Sequence, residues 1–287
     1  MVSGFTIVRN AQRLRYPFEQ SVESALPLCD EYIIACGDSQ DGTRELCDAL
    51  AAKHPGKIRI FDSVWQRESQ SGGFQLKHQT DLALAQCRGA WCLYVQADEV
   101  LHEGDFPALR AGMAQAQTRP EIDGLVFDYV HFYGSYAYEI RGRNWYRKEV
   151  RLFKNRRGIE AFRDAQGFRR AGERLVALHS GARVFHYGYV RTPDALAAKA
   201  QEMAKWWGTH AQDSAEETRL HRHVGLRKYR GTHPAVMAAL TAAPNPFNPA
   251  HCTRKWDKRE IKNALTLAWE SVFPFRLGEF RNYEIVR

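Results

Sequence analysis

The stretch DEYIIACGDSQDGTRELCDAL, residues 30–50, decides how this chain is read. Its run 32–36 is continuously apolar, as in a strand covered on both faces. The run stops at Gly37-Asp38, and an amphipathic helix is predicted over 43–52. The same alternation recurs around it. Strands are predicted at 4–8, 57–61 and 91–95, helices at 17–25, 74–87 and 106–117, and a longer strand at 122–130. Short apolar strands between amphipathic helices predict an α/β fold: a Rossmann-like, mostly parallel sheet with helices on both faces.

The rhythm breaks afterwards. Residues 131–181 are aromatic, basic and irregular, with one strand expected at 150–153. A short strand follows at 182–186. Thr192-Pro193 is a cap followed by proline at the first helical position, and starts a helix expected to end at Trp207. The expected organisation is one domain over 1–210, with halves 1–103 and 104–210, and a helical C-terminal extension over 211–287.

Composition narrows the class. The chain has 287 residues, of which 44% are apolar, enough for a sizeable core. The N-terminus lacks the order of a signal peptide, and no apolar stretch approaches the ~20 residues that span a bilayer. The six cysteines form no C-x-x-C pair and read as reduced core residues of a cytoplasmic protein. The net charge is +8, and residues 141–174 hold 12 Lys and Arg against 4 Asp and Glu. Such a block suits an anionic partner: a phosphate, a nucleic acid or the inner face of a membrane.

Ligands of open α/β sheets sit beyond the carboxyl ends of the strands. Here those ends carry Arg9-Asn10, Asp38 to Thr43, and Gln96-Ala97-Asp98-Glu99. On that placement both Asp98 and Glu99 face a ligand. No P-loop, dinucleotide fingerprint, nucleophile elbow or H-E-x-x-H is present. Without a glycine cradle a diphosphate still needs neutralisation, which a carboxylate-held divalent ion supplies.

Several stretches resemble one family, the inverting family 2 glycosyltransferases with a GT-A fold. FTIVRNA (5–11) is similar to its first strand, the stretch quoted above to its second strand and D-x-S-x-D-G-T turn, and WCLYVQADEVL (91–101) to its D-x-D segment. FRDAQGFRR (162–170) and VFHYGYVRTPDALAAKAQ (184–201) resemble a bacterial subgroup.

The resemblance implies a nucleotide-sugar donor and Mg2+ or Mn2+. It places Val8 and Asn10 in the base pocket, Asp38 on base or ribose, and Asp98 and His186 on the metal. Asp164 is the implied base, kept ionised by Arg163 and Arg169. Gln96 replaces the first aspartate of D-x-D and is left to bond a ribose or sugar hydroxyl. Glu99 is either a further ligand or a helix start. Lys77, on the helix before the fourth strand, is within expected reach of the donor phosphates.

The implied acceptor is a glycan or lipid-linked hydroxyl of bacterial surface polysaccharide or lipopolysaccharide synthesis, with peripheral membrane contact and no nucleic acid. Trp206 and Trp207 read as core packing, and His221 and His223 as surface. Two other readings compete. Tyr133, Tyr136, Tyr138, Trp145 and Tyr146 interleave with Arg141 and Arg143, a mixture that also suits a non-enzymatic nucleic-acid-binding protein. A sugar-nucleotide pyrophosphorylase shares the layout, but residues 9–15 lack its glycine-rich loop.

Overall fold

The computed structural model describes residues 1–66, 72–207, 220–245, 247–254, 256–273 and 275–286. The first half alternates as expected: β1 (Val2–Val8), α1 (Phe18–Ala25), β2 (Glu31–Cys36), α2 (Thr43–Lys53), β3 (Ile58–Asp62), α3 (Phe74–Ala85) and β4 (Trp91–Tyr94). These strands run parallel in the order β3-β2-β1-β4. Both faces of β2 are buried. Tyr32, Ile34 and Cys36 join the core under α1 and α2, while Ile33 and Ala35 join the core under α3. The two-residue period of a strand divides one apolar run between two helical layers.

Beyond β4 the sheet is mixed, which corrects the expectation of a mostly parallel one. After β5 (Glu99–Leu101) and α4 (Phe106–Gln117) come β6 (Gly124–Tyr133), β7 (Ser135–Ile140), β8 (Lys148–Lys154), β9 (Ile159–Phe162), β10 (Gly167–Arg170) and β11 (Glu173–Tyr189). β8 is antiparallel to both β4 and β6, β6 is parallel to β11, and β10 is antiparallel to β11 and β9. The region expected to be irregular is therefore largely strand. Its charged residues hid this. β8, KEVRLFK, is almost wholly buried although four of its seven residues are charged.

β11 is followed by α5 (Pro193–Trp207). The expected C-terminal extension holds β12 (Leu226–Lys228), α6 (Ala238–Ala242), α7 (Lys258–Val272) and β13 (Tyr283–Val286). Besides its helices it adds strands to the sheet, β12 against β7 and β13 against β11.

One buried ion pair ties the halves together. Arg151 of β8 and Glu99 of β5 are both fully buried. Arg151 donates from Nε and Nη2 to the two carboxylate oxygens at 2.9 and 2.8 Å. Glu99 also accepts from the Tyr129 hydroxyl at 2.7 Å and the Gln96 amide at 3.1 Å. The guanidinium lies 5.4 and 5.3 Å from the ring centroids of Tyr94 and Tyr129. Glu99 therefore points into the core and is neither a ligand nor a helix start.

Removing one partner strands the other charge in a dry interior. Arg151→Ala is expected to lower unfolding stability by about 3–5 kcal/mol, read from the urea midpoint. The double variant Glu99→Leu/Arg151→Met should lose less than the single one, because no charge is left unpaired.

Candidate functional site

The ends of β1 and β4 open on a cavity of about 140 Å³. Val8 and Arg9 come from β1 and the residue after it. Gln96, Ala97 and Asp98 come from the turn between β4 and β5, and Asp164 from the β9–β10 turn. The facing wall is α5, which contributes Lys199, Glu202, Met203 and Trp206. Their spacing of three, one and three places them on one helical face.

Arg9 packs beside two indoles that meet edge-on at 5.3 Å between centroids, 5.8 Å from the ring centroid of Trp65 and 5.5 Å from that of Trp206. Its Nε donates to Asp38 Oδ1 at 3.0 Å, and its other arm pairs with Glu202. Asp38 stands at the exposed rim and also accepts from the Trp65 amide at 3.2 Å. This rim links strand one, strand two and α5 through a single guanidinium.

Asp98 sits deeper and is buried. Its Oδ2 accepts from Lys199 Nζ at 3.0 Å and Arg191 Nη2 at 3.4 Å, and lies 3.8 Å from His186 Nε2. Burial works against the charge on Asp98, but Lys199 and the groups beside it prevail and hold the carboxyl well below its ordinary range. Burial lowers the Lys199 ammonium to about 8, with Arg191 adding to the shift and Asp98 opposing it. His186 stays neutral, pushed well below its usual value by burial. Its other nitrogen meets His131 Nδ1 at 3.0 Å. The close approach requires Gly188, where a Cβ would come within 2.5 Å of the His186 ring and 2.9 Å of Asp98.

Asp164 is held in a turn whose neighbours Arg163 and Ala165 both have positive φ. Burial raises its carboxyl above the usual value; backbone hydrogen bonds and then Arg163 and Arg151 oppose it without prevailing. The expectation that flanking arginines dominate is therefore corrected. A carboxylate raised by burial is the stronger base.

The structure brings together Val8, Gln96, Asp98 and Asp164 in the cavity wall, with Asp38 on the rim and His186 behind Asp98. It does not bring in Asn10 or Lys77. Asn10 is buried at φ 53° and its Oδ1 accepts from the Gln40 amide at 2.8 Å, so it shapes the neighbouring turn. Lys77 is bound to Asp81 at 2.6 Å and Glu160 at 2.7 Å.

Sequence reasoning placed Arg9 at a ligand-facing strand end but missed Trp65, Lys199, Glu202 and Arg191 as site residues. Trp206, read as core, is indeed buried, and it also lines the cavity; the side chain of Trp207 lies outside the described residues. The helical-face spacing of Lys199, Glu202, Met203 and Trp206 was the available signal. His223, read as surface, has a carboxylate partner in Glu260 at 2.7 Å.

A divalent ion does not fit this arrangement. Asp98 and His186 do approach each other, but two cations already occupy the same Asp98 oxygen. Hard divalent ions want several oxygen ligands, and no group of three or more His, Cys, Asp or Glu suited to a metal occurs among the described residues.

The basic block 141–174 is also largely engaged. Arg156 and Arg170 meet Asp123, Arg147 meets Glu279, Lys148 meets Asp128 and Arg151 meets Glu99. It forms no continuous free cationic track of the kind single-stranded nucleic acid needs.

No protein-family model matches the chain, and no curated protein matches it. Among solved structures it is similar to S. aureus TarS 1–349 in complex with UDP-GlcNAc, at 20% identity over 46% of this chain and 35% of that one, TM-score 0.34. It is also similar to TarS 1–349 in complex with UDP, at 14% identity over 76% and 70%, TM-score 0.42. Glucosyl-3-phosphoglycerate synthase from Mycobacterium tuberculosis, with Mn2+, UDP and glucosyl-3-phosphoglycerate, is similar at 19% identity over 47% and 45%, TM-score 0.31. The chain thus spans about a third of the first of these. Likenesses this distant leave the site to be argued from its own residues.

The crowded Asp98 oxygen makes a direct forecast. Mn2+ mixed with equimolar protein should keep the electron paramagnetic resonance spectrum of the free aqueous ion. Stoichiometric loss of that signal, recovered in Asp98→Ala, would restore a metal site.

Proposed function

We propose that this chain transfers a glycosyl group, with inversion, from a nucleoside-diphosphate sugar to a hydroxyl of a glycan or lipid-linked acceptor. The observation that carries the reading is the shared cavity. It combines a buried base candidate, Asp164, a polar strand end, Gln96 to Asp98, and two indoles at its mouth. The sequence resemblance of the strand-end motifs points the same way.

Each residue then has a physical task. Trp65 and Trp206 offer flat faces for a base, with Val8 beneath them. Asp38, on the rim, accepts from ribose or base. Gln96, whose amide makes only long contacts of 3.5 Å to Tyr94 and Ala165, is available to a sugar hydroxyl. Lys199, backed by Arg191, supplies the positive charge for the departing diphosphate, so charge is stabilised without a metal. The acceptor oxygen forms its bond to the anomeric carbon as Asp164 takes its proton. The bond to the diphosphate oxygen breaks and the electron pair leaves with the nucleotide.

A cavity of about 140 Å³ is smaller than the ~300–1,000 Å³ of typical ligand sites. Donor entry therefore displaces the α5 face. The diphosphate takes over Lys199 from Asp98 and Arg9 from Glu202, exchanging one set of anions for another. The setting we favour is assembly of a bacterial surface polysaccharide or lipopolysaccharide on the cytoplasmic side. The nucleic-acid alternative gains no support, because half of the cations in that block are paired with acids of the fold.

A thermal-shift panel of UDP, GDP, dTDP and CDP, each with and without Mn2+, tests the donor. One nucleotide should stabilise the fold, by ~2.7 kcal/mol at a hundredfold excess over its dissociation constant. The shift should be unchanged by Mn2+ and lost in Lys199→Ala. No shift with any nucleotide would remove the reading.

Catalysis is tested separately. Asp164→Asn should keep the nucleotide shift while transfer falls by about 10²–10⁴. The base must be ionised and Lys199 protonated. kcat/KM should therefore fall on acidification above the ordinary carboxylate range, and fall again as pH rises through about 8. Lys199→Arg should move the alkaline limb upward and leave the acid limb in place.

A further inference from the structure

α7 is laid down with its polar face inward. Glu260, Asn263 and Thr266 are its buried residues. Glu260 meets His223 at 2.7 Å and the Val224 amide at 2.9 Å, and Asn263 accepts from the Arg143 amide at 2.8 Å. The opposite face carries Ile261, Leu265 and Val272, which are 51%, 68% and 72% exposed. Spacings of four and seven align them in one stripe. A surface helix of a globular protein normally does the reverse.

The apolar surface continues past the helix. Phe273, Phe275, Leu277 and Phe280 are all exposed, and Phe273 stacks on Trp269 at 4.0 Å between ring centroids. Trp256, just before the helix, is 58% exposed, with the Arg254 guanidinium 5.2 Å from its ring. A contiguous apolar face of this extent marks an interaction surface.

The charges beside it choose the partner. Lys258 and Lys262 stand three residues before Ile261 and Leu265, and with Arg259 they are exposed and enter no ion pair among the described residues. The acids of the segment are engaged elsewhere: Glu260 inward, Glu270 with Arg276, and Glu279 with Arg147 and Arg281. With Asp257 capping the helix, a second copy meeting this face would bring these cations no acid of the segment that is not already engaged. An anionic bilayer meets both demands, taking the aromatic and aliphatic side chains at the acyl boundary and the cations at the lipid phosphates.

We propose that α7 with Phe273 and residues 275–280 forms an interfacial anchor that docks the chain on an anionic membrane surface. The anchor is independent of the transfer reaction and stands or falls without it. It also differs from the basic block 141–174, half of whose cations are paired with acids of the fold.

The test is cosedimentation of the full chain with vesicles of phosphatidylcholine alone, or with about a third phosphatidylglycerol. Binding is expected to the anionic vesicles only, and to fall at about 0.5 M salt. Leu265→Glu/Val272→Glu and Lys258→Glu/Lys262→Glu should each lower vesicle affinity at least about tenfold. Their thermal midpoints should match the parent, since the altered side chains are exposed. Absence of vesicle binding, equal binding to neutral vesicles, or variants that bind like the parent would overturn the proposal. So would a dimer in sedimentation equilibrium that Leu265→Glu/Val272→Glu dissolves, because a second copy would then cover the face.

Discussion

The Arg151–Glu99 pair is the constraint on which the site depends. Glu99, the first residue of β5, points into the core, while Asp98, in the turn just before it, lines the cavity. Two adjacent acids at one strand end thereby serve opposite ends. Glu99 fastens the turn to β8, and Asp98 is presented to the cavity. Arg151 also donates from Nη1 to the Gln166 carbonyl at 2.8 Å, which fixes the turn that carries Asp164. One guanidinium so sets the separation between Asp98 and Asp164, two carboxylates that line the cavity. A buried charge pair is poor value as stabilisation alone, but it holds position in a way that apolar packing does not.

The parallel half of the fold was legible because its strands are short apolar runs and its helices have clear faces. β2 reads from sequence at the very residues where it is found. The antiparallel half was not, because β8 buries Arg151 and β10 ends in Arg170, whose partners lie far off in sequence. Arg151 and Glu99 are 52 residues apart, and Arg170 and Asp123 are 47 apart. Read locally, such residues look like a solvated or nucleic-acid-binding block; paired at a distance, they are interior struts. The same blindness affected the site. Asp98, Gln96 and Asp164 announce themselves at strand ends and turns, while Lys199 and Arg191 matter only because α5 folds back over β4.

The site is electrically satisfied before any ligand arrives. Asp98 and Glu202 occupy the cations that a diphosphate would use. Such an arrangement avoids the cost of an empty cationic pocket in a low-dielectric interior. It also gives an incoming anion something to displace rather than something merely to touch.

The α5 face over the cavity has a thermodynamic consequence. If only a fraction of molecules stands open at any moment, the measured dissociation constant equals the intrinsic one divided by that fraction. Weakening the grip of Glu202 on Arg9 would then tighten ligand binding without adding a single contact to the ligand. Good and poor ligands would gain by the same factor, so the ratio of their affinities would stay as it is.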